Sequence, residues 1–232
     1  MKTSRCVVLF SRSPLTEGAL KSMPGGGRLF EFSARRVAEA VRNLVGVDLM
    51  LAGDGPAPEG ARLLPQRGGE FGERLKNAFE DARSAGYSEI VTVPGDVPGI
   101  SSAHLAAAFR ALETRAAVIG PSVDGGVWLI GLRAGAAPLS SLFLGVPWRT
   151  ARVLSSLVRN APDAALLDVL RDVDRPSDLA ALAGEQRLDP ALAALLRSLR
   201  PTPARLTRVR WALRSRPRSA TPPRAPPARL AA

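Results

Sequence analysis

An aspartate at the end of an apolar run is the first residue whose position suggests chemistry. The run Ile90–Val93 predicts a buried strand, and Asp96 follows it between Gly95 and Pro98. Ligands of open α/β sheets gather outside the carboxyl ends of the strands. A carboxylate at that place can hold Mg²⁺ or Mn²⁺, whose remaining positions go to water and substrate phosphates. The alternative is an aspartate that caps its own turn, which is common in loops rich in glycine and proline.

A second carboxylate precedes another apolar run. Asp124, Gly125 and Gly126 stand directly before the run Val127–Ile130. Two glycines at this point favour a tight turn that delivers the carboxylate of Asp124 into a cleft. The alternative is a simple hairpin, for which Asp-Gly is a standard signal.

Basic residues follow the first apolar run, Cys6–Phe10. Arg12 lies between Ser11 and Ser13-Pro14, and Lys21 follows seven residues after Pro14. A pair of positive charges at the carboxyl end of a first strand suits a nucleotide diphosphate.

A glycine-containing segment runs into a predicted helix and contains Gln66, Gly68, Gly72 and Arg74. Glycines let the backbone approach a ligand closely, and a helix N-terminus favours anionic groups. Arg74 could neutralise a phosphate, or it could pair with Glu70 on the same helix.

Two later segments carry polar residues directly before predicted helices. Trp148 and Thr150 open one helix, and Asp172 and Asp174 stand before another. Asp174 could serve simply as the N-cap of that helix.

The rarity of cysteine and histidine limits the chemistry. Cys6 is the single cysteine and His104 the single histidine, which excludes a disulfide framework, a Cys-rich zinc site and His-based catalytic triads. Chemistry must therefore rest on carboxylates, arginines and backbone amides, with or without a hard cation. His104 falls in the first turn of a predicted helix, where we interpret it as a surface or packing residue.

The net charge of +11 belongs mostly to the C-terminal segment. Residues 201–232 contain eight arginines and no acid, which leaves +3 for residues 1–200. We therefore predict one folded domain over 1–200 and a disordered Arg/Pro-rich tail over 201–232. The alternative is a short basic amphipathic helix over 204–214 that touches anionic surfaces. We expect no specific nucleic-acid partner.

Hydrophobic runs are too short for a membrane-spanning helix, which needs about 18 consecutive apolar residues, and the N-terminal run is too short for a secretory signal. A cytoplasmic location is the expectation.

Apolar runs alternate with helical patterns along the chain, as is typical of a mostly parallel sheet covered by helices. The predicted strands are Cys6–Phe10, Val47–Ala52, Ile90–Val93, Ala117–Ile119 and Val127–Ile130. The predicted helices are Leu29–Asn43, Gly72–Ser84, Ser102–Thr114, Thr150–Arg159, Pro176–Ala183 and Pro190–Leu199. An N-cap is expected at Ser101 or Ser102.

Taken together, these segments resemble the bacterial family known as domain of unknown function 2064 (DUF2064), whose members are described as glycosyltransferase-like. The family pattern contains Lys-x-Pro, Gln-x-Gly-x-x-Leu-Gly-x-Arg, Gly-x-Asp-x-Pro, Asp-Gly-Gly, Trp-Ser-Thr and Asp-Val-Asp-x-x-x-Asp-Leu. The corresponding segments, in the same order across residues 5–183, are Arg12–Pro14, Gln66–Leu75, Gly95–Pro98, Asp124–Gly126, Trp148–Thr150 and Asp172–Leu179. Arg12 stands where the pattern has lysine, and Arg149 stands where it has serine.

The resemblance implies a Rossmann-like nucleotide-diphospho-sugar transferase (GT-A) fold with Mg²⁺ or Mn²⁺ at an acidic loop. It implies that Asp96 coordinates the metal and that Asp124 acts on the transferred group or its acceptor. The implied nucleotide-binding residues are Ser11, Arg12, Pro14, Lys21, Gln66, Gly68, Gly72 and Arg74, and the implied substrate-binding residues are Gly125, Gly126, Trp148 and Thr150.

The function that this resemblance favours is transfer of a sugar from a nucleotide-diphospho-sugar to a small-molecule acceptor. One alternative is a nucleotidyltransferase, similar to 2-phospho-lactate guanylyltransferase and the molybdenum-cofactor nucleotidyltransferases, that couples a nucleoside triphosphate to a phosphorylated small molecule. A second alternative is a non-catalytic nucleotide-binding or surface-associated scaffold.

Overall fold

The computed structural model describes residues 4–135, 139–185 and 188–199 and contains a seven-stranded sheet flanked by helices. The strands are β1 (Arg5–Phe10), β2 (Val47–Ala52), β3 (Ala61–Leu64), β4 (Glu89–Pro94), β5 (Ala117–Pro121), β6 (Val127–Arg133) and β7 (Ala165–Leu166). Their order across the sheet is β3-β2-β1-β4-β6-β5-β7. The predicted mostly parallel α/β sheet is therefore confirmed.

One strand runs against the others. β6 pairs antiparallel with both β4 and β5, whereas β1 pairs in parallel with β2 and β4. The carboxyl ends of β1, β2, β4 and β5 consequently meet the first residue of β6, Val127, at one edge of the sheet. This edge, called here the ligand edge, is where open sheets of this kind bind their ligands.

Eight helices accompany the sheet in the described part of the chain. They are α1 (Pro14–Leu20), α2 (Arg28–Arg42), α3 (Phe71–Ser84), α4 (Ser102–Thr114), α5 (Leu139–Leu142), α6 (Val153–Asn160), α7 (Pro176–Ala183) and α8 (Pro190–Leu199). Among the described residues, no helix is both long enough and apolar enough to cross a membrane.

The sheet is covered on both faces. Successive residues of a strand point to opposite sides, and here they enter two different cores. Val8 of β1 belongs to a core that also contains Phe79 of α3, whereas Val7 belongs to a second core with Val37 of α2 and Leu105 of α4. This burial on both faces explains why the strands are nearly continuous apolar runs.

A third, smaller core lies beside the second. It joins Phe30 of α2 to Leu182 of α7 and Leu196 of α8, and it encloses the side chain of Val173. Val173 is fully buried. The chain on either side of Val173 is thus fixed by apolar packing.

Most predicted elements are confirmed within two residues of their bounds. The exceptions are α6, which begins at Val153 and not at Thr150, and β6, which ends at Arg133 and not at Ile130. The elements α1, β3, α5 and β7 were not predicted, and three of them have only two to four residues. The predicted tail over 201–232 lies outside the described residues.

Ser101 is the N-cap of α4, and His104 completes a capping box with it. The backbone N–H of Ser101 donates to Nδ1 of His104 at 3.1 Å, and the imidazole contacts the buried Trp128 with 5.6 Å between ring centroids. Burial lowers the pKa of His104, and Asp168 opposes that shift. Of the two positions expected for His104, at the surface or in packing, the structure shows the packing position.

Candidate active site

At the ligand edge, the loops that follow β1, β2 and β4 lie in close contact. The carbonyl of Ala52, the last residue of β2, accepts hydrogen bonds from Ser11 N at 3.1 Å and from Gln66 Nε2 at 2.7 Å. Gly95 follows β4, and a Cβ atom there would overlap with Oγ of Ser11. Glycine at this position is what allows the ends of β1 and β4 to lie this close.

Lys21, directly after α1, lies among three carboxylates. Its Nζ is 2.6 Å from Oδ2 of Asp96, 2.7 Å from Oδ1 of Asp174 and 3.1 Å from Oε1 of Glu17. It also donates to the carbonyl of Val173 at 3.1 Å. Burial alone would lower the pKa of Lys21, but Asp96 and Asp174 raise it above its ordinary value. The ammonium is therefore charged and fully engaged by the protein.

Asp96 uses one carboxylate oxygen for Lys21, and the other oxygen is buried. Among the described residues, Oδ1 of Asp96 has no hydrogen-bond partner. Burial raises the pKa of Asp96, Lys21 lowers it, and the nearby carboxylates of Asp174 and Glu17 raise it further. An unpaired buried oxygen of this kind is costly unless something outside the chain satisfies it.

Three further carboxylates lie beside Asp96. One oxygen each of Asp124, Asp172 and Asp174 falls within 4.8 Å of the other two. Burial raises the pKa of Asp172 to about 7, with additional contributions from Asp96, Asp124 and Asp174. These oxygen donors suit a hard divalent cation such as Mg²⁺ or Mn²⁺, and the unpaired oxygen of Asp96 fits the same interpretation.

Backbone hydrogen bonds hold this acidic cluster (Asp96, Asp124, Asp172 and Asp174) together. Val173 N donates to the carbonyl of Asp96 at 2.9 Å, and Leu170 N donates to the carbonyl of Pro121 at 3.1 Å. The segment that carries Asp172 and Asp174 is thus tied to the ends of both β4 and β5.

Asp124 lies in the turn of the β5–β6 hairpin, so the Asp-Gly hairpin signal is confirmed. Its Oδ1 accepts from Gly126 N at 2.8 Å. Gly125 has a φ of 87°, and a Cβ atom there would overlap with the carbonyl oxygen of Ala151. The hairpin turn is therefore pressed against the chain just before α6 and holds Asp124 at the ligand edge.

Asp172 and Asp174 were not predicted as site residues. The sequence analysis noted them only as two acids before a predicted helix. The suggested cap role of Asp174 is wrong. The N-cap of α7 is Arg175, and Asp178 inside the helix completes a capping box with it, since its Oδ2 accepts from Asp174 N at 2.9 Å and from Arg175 N at 2.8 Å. The carboxylate of Asp174 is thereby left to contact Lys21.

Arg12 takes a more open position than Lys21. Its guanidinium is 3.7 Å from Oε2 of Glu17, and its side chain is 43% exposed. Glu17 therefore contacts both basic residues of the predicted phosphate site. Ser13 accepts from Thr16 N as the N-cap of α1, and Pro14 opens that helix.

The remaining predicted residues lie around α3. The guanidinium of Arg74 donates to the carbonyl of Gly69, and no described side-chain contact joins Arg74 to Glu70 or to the acidic cluster. Gly68 has a φ of 113°. Gly68, Gly72 and Arg74 remain predictions as nucleotide ligands.

Trp148 packs over the start of α3. Its ring centroid is 5.5 Å from that of Phe71 and 5.1 Å from that of Phe143, and a Cβ atom at Gly72 would overlap with Nε1 of Trp148. Thr150 donates to the carbonyl of Pro147 at 2.7 Å. The role of Trp148 and Thr150 in substrate binding remains a prediction.

Replacing Gly72 with alanine should lower the free energy of unfolding by about 1–3 kcal/mol, because the added methyl group must displace Trp148. Urea denaturation measures the change. Gly99→Ala is the matched control, since no atom lies within 4 Å of a Cβ at Gly99, and its effect should stay within about 0.5 kcal/mol. Equal effects of the two variants would contradict this packing.

Comparison with known proteins gives one family and a recurrent fold. The model of the family described as "Uncharacterized protein conserved in bacteria (DUF2064)" matches residues 33–150. No curated protein sequence matches the chain.

Two solved structures illustrate the fold. A Desulfovibrio desulfuricans G20 protein described as a candidate nucleotide-diphospho-sugar transferase is 24% identical, with a TM-score of 0.73 over 85% of this chain and 96% of that one. A CMP:2-keto-3-deoxy-manno-octonic acid synthetase in complex with CTP is 13% identical, with a TM-score of 0.50 over 84% of this chain and 100% of that one. The predicted nucleotide-diphospho-sugar transferase fold is confirmed.

Proposed function

The chain belongs to the bacterial DUF2064 family, and from that premise we propose that it is a divalent-cation-dependent glycosyltransferase. It moves a sugar from a nucleotide-diphospho-sugar to a small-molecule acceptor. The observation that carries this proposal is the acidic cluster at the ligand edge, where four carboxylates come from three separate segments and two of them, Asp96 and Asp174, contact the charged Lys21. Such a concentration of like charge costs stability, and shifted carboxylates in a cleft are typical of functional sites.

The cation site consists of carboxylate oxygens. Asp124, Asp172 and Asp174 offer one oxygen each, and Asp96 offers its unpaired Oδ1. A divalent ion held there supplies positive charge to the diphosphate of the donor and to the nucleotide as it leaves.

The basic residues at the end of β1 serve the phosphates. Arg12 is exposed enough to reach a bound diphosphate, and Lys21 assists in neutralising the leaving nucleotide. Ser11 and Pro14 line the nucleotide pocket with Gln66, whose side chain is fixed to the end of β2.

Asp124 is suited to act on the acceptor. One of its oxygens is held by Gly126 N at 2.8 Å, which fixes the direction of the carboxylate. In that position Asp124 accepts the proton of an acceptor hydroxyl or orients the sugar. Gly125 and Gly126 keep the surface beside this carboxylate free of side chains.

Nucleotidyl transfer is the second candidate. The likeness to a synthetase that holds CTP favours it at the level of the fold, and the same acids and basic residues would serve a triphosphate. The two reactions differ in the bond that breaks, because a glycosyltransferase releases a nucleoside diphosphate and a nucleotidyltransferase releases pyrophosphate.

A thermal-shift screen with Mn²⁺ or Mg²⁺ tests the proposal. The ligands are nucleoside triphosphates, nucleoside diphosphates and nucleotide-diphospho-sugars. A ligand at 100 times its dissociation constant should add about 2.7 kcal/mol of stability, which raises the melting temperature measurably. We expect the largest cation-dependent shift with one nucleotide-diphospho-sugar.

Two other outcomes would change the conclusion. A larger shift with a triphosphate, together with pyrophosphate release, would favour the nucleotidyltransferase. The absence of any shift with any nucleotide would contradict both and favour the non-catalytic scaffold.

A further inference from the structure

We propose that the ammonium of Lys21 acts as the cation of the acidic cluster in the free protein, where it neutralises the carboxylates. When a divalent cation binds, the ammonium leaves the cluster. This inference rests on the proposed function and concerns the regulation of the same site. Its consequence is that the divalent cation and the nucleotide bind cooperatively, because the displaced ammonium becomes available to the phosphates.

The contacts of Lys21 are those of a bound cation. Its Nζ lies between Oδ2 of Asp96 at 2.6 Å and Oδ1 of Asp174 at 2.7 Å, and its side chain is only 14% exposed. The face of the Phe30 ring lies 5.3 Å from the same nitrogen, which is a favourable position for a cation. Lys21 therefore satisfies carboxylates that would otherwise repel one another.

A divalent cation needs the same oxygens. Asp174 is one of the three grouped carboxylates, and its Oδ1 is already paired with Lys21. Asp96 contributes an unpaired Oδ1 on the same carboxyl group that holds the ammonium. Two cations this close repel each other strongly in a partly buried site, so occupancy by one disfavours the other.

Glu17 offers the displaced ammonium a second carboxylate partner. It is four residues before Lys21 at the end of α1 and 3.1 Å from Nζ, and it is also 3.7 Å from the guanidinium of Arg12. A lysine has a flexible four-carbon stem, so the ammonium can leave Asp96 and stay beside Glu17. That position is next to Arg12, in the loop proposed to bind phosphate.

Cooperativity follows from this exchange. If a divalent cation moves Lys21 toward the phosphates, it raises the affinity for the nucleotide, and the nucleotide must raise the affinity for the cation by the same factor. When the phosphates of a bound nucleotide hold Lys21, the carboxylates of Asp96 and Asp174 are free to bind the divalent cation.

Lysine side-chain NMR tests the exchange in the unaltered chain. The sequence has three lysines, at positions 2, 21 and 76, so the ¹⁵Nζ-labelled side-chain signals can be assigned with K21R and K76R. During a Mg²⁺ titration without nucleotide, the signal of Lys21 should shift and that of Lys76 should not. Lys76 is an internal control because its only described ion pair, at 3.8 Å, is with Glu80 on α3. An unmoved Lys21 signal at a Mg²⁺ concentration that saturates binding by calorimetry would overturn the proposal.

Calorimetric Mn²⁺ binding to the full chain gives an independent measurement. Without nucleotide, K21M should bind Mn²⁺ about tenfold more tightly than the wild type, within the usual range of coupling between two ligands, and the matched control K76M should bind it as the wild type does. Equal or weaker Mn²⁺ binding by K21M overturns the exchange. K21M leaves the carboxylate of Asp96 without its ammonium partner, which lowers the stability of the variant. The NMR titration uses the unaltered chain and is therefore independent of that loss.

A third variant separates this inference from the proposed function. Asp124→Asn should weaken Mn²⁺ binding, because it removes one of the grouped carboxylates. If it does so while K21M changes nothing, the cation site stands and the exchange is wrong. If the wild type, Asp124→Asn and K21M all bind Mn²⁺ equally poorly, both the exchange and the cation dependence of the proposed function are wrong.

Discussion

Replacing Asp96 with asparagine should lower the rate of transfer by at least about 100-fold, the loss typical of removing one charged group that stabilises a transition state. The carboxylate of Asp96 contacts Lys21 directly and contributes to the raised pKa of Asp172. Asparagine has nearly the same shape, and Lys21 keeps its contacts to Asp174 and Glu17. The fold should therefore persist while the charge is lost.

Steady-state turnover of the nucleotide-diphospho-sugar identified by the thermal-shift screen measures this loss. Asp163→Asn is the matched control, because Asp163 is exposed in the turn after α6, and its rate should equal that of the wild type. A chain that lacks residues 201–232 should also turn over normally. Turnover by Asp96→Asn equal to that of the wild type would contradict catalysis by Asp96 at the ligand edge.

Trp128→Ala should lower the free energy of unfolding by about 3–5 kcal/mol, as is typical for removing a large aromatic side chain from a core. Trp128 is fully buried on β6, and its ring lies against Gly120 of β5, where a Cβ atom would overlap with it. Its Nε1 donates to the carbonyl of Asp168 at 3.0 Å. The substitution thus removes packing within the sheet and a tie to the segment that leads to Asp172.

Chemical denaturation measures this effect, and Trp128→Phe separates its two causes. Phenylalanine keeps most of the ring volume and loses the hydrogen bond, so its cost should be only about 1–2 kcal/mol. Equal losses for the two variants would show that the hydrogen bond to Asp168, and not the ring, makes the larger contribution.

The sheet could be predicted from the sequence because its strands are buried on both faces. Short apolar runs such as those of β1 and β4 are typical of strands buried on both faces. The strand β7 could not be found in this way, because it has two residues and one of them, Leu166, is exposed.

The candidate site could be predicted only in part, because tertiary contacts bring some of its residues together. Asp96 and Asp124 each follow or precede a strong apolar run, so their place at the sheet edge could be inferred from sequence. Asp172 and Asp174 reach that edge through the packing of Val173 and through backbone hydrogen bonds to Asp96 and Pro121. No local pattern reveals such contacts.

The prediction for Lys21 was incomplete for a related reason. Its spacing from Pro14 indicated a positive charge near the end of β1, which the structure bears out. The helix α1, which turns that charge toward Asp96 and Asp174, was not predicted, since it has seven residues and includes Gly18. The neutralisation of Lys21 by carboxylates therefore depends on an element that the sequence pattern did not reveal.

The antiparallel strand β6 also constrains the order in which the chain can be assembled. During synthesis from the N-terminus, β1, β2, β3 and β4 can form a parallel half-sheet before the later strands exist. β5 emerges next, but it has no place beside β4, because β6 occupies the position between them. The hairpin of β5 and β6 forms through local contacts, which are made faster than distant ones, and it can then join the half-sheet as a unit. A ribosome-bound chain that ends before β6 would thus leave the edge of β4 open, at the very place where Asp124 must later meet Asp96.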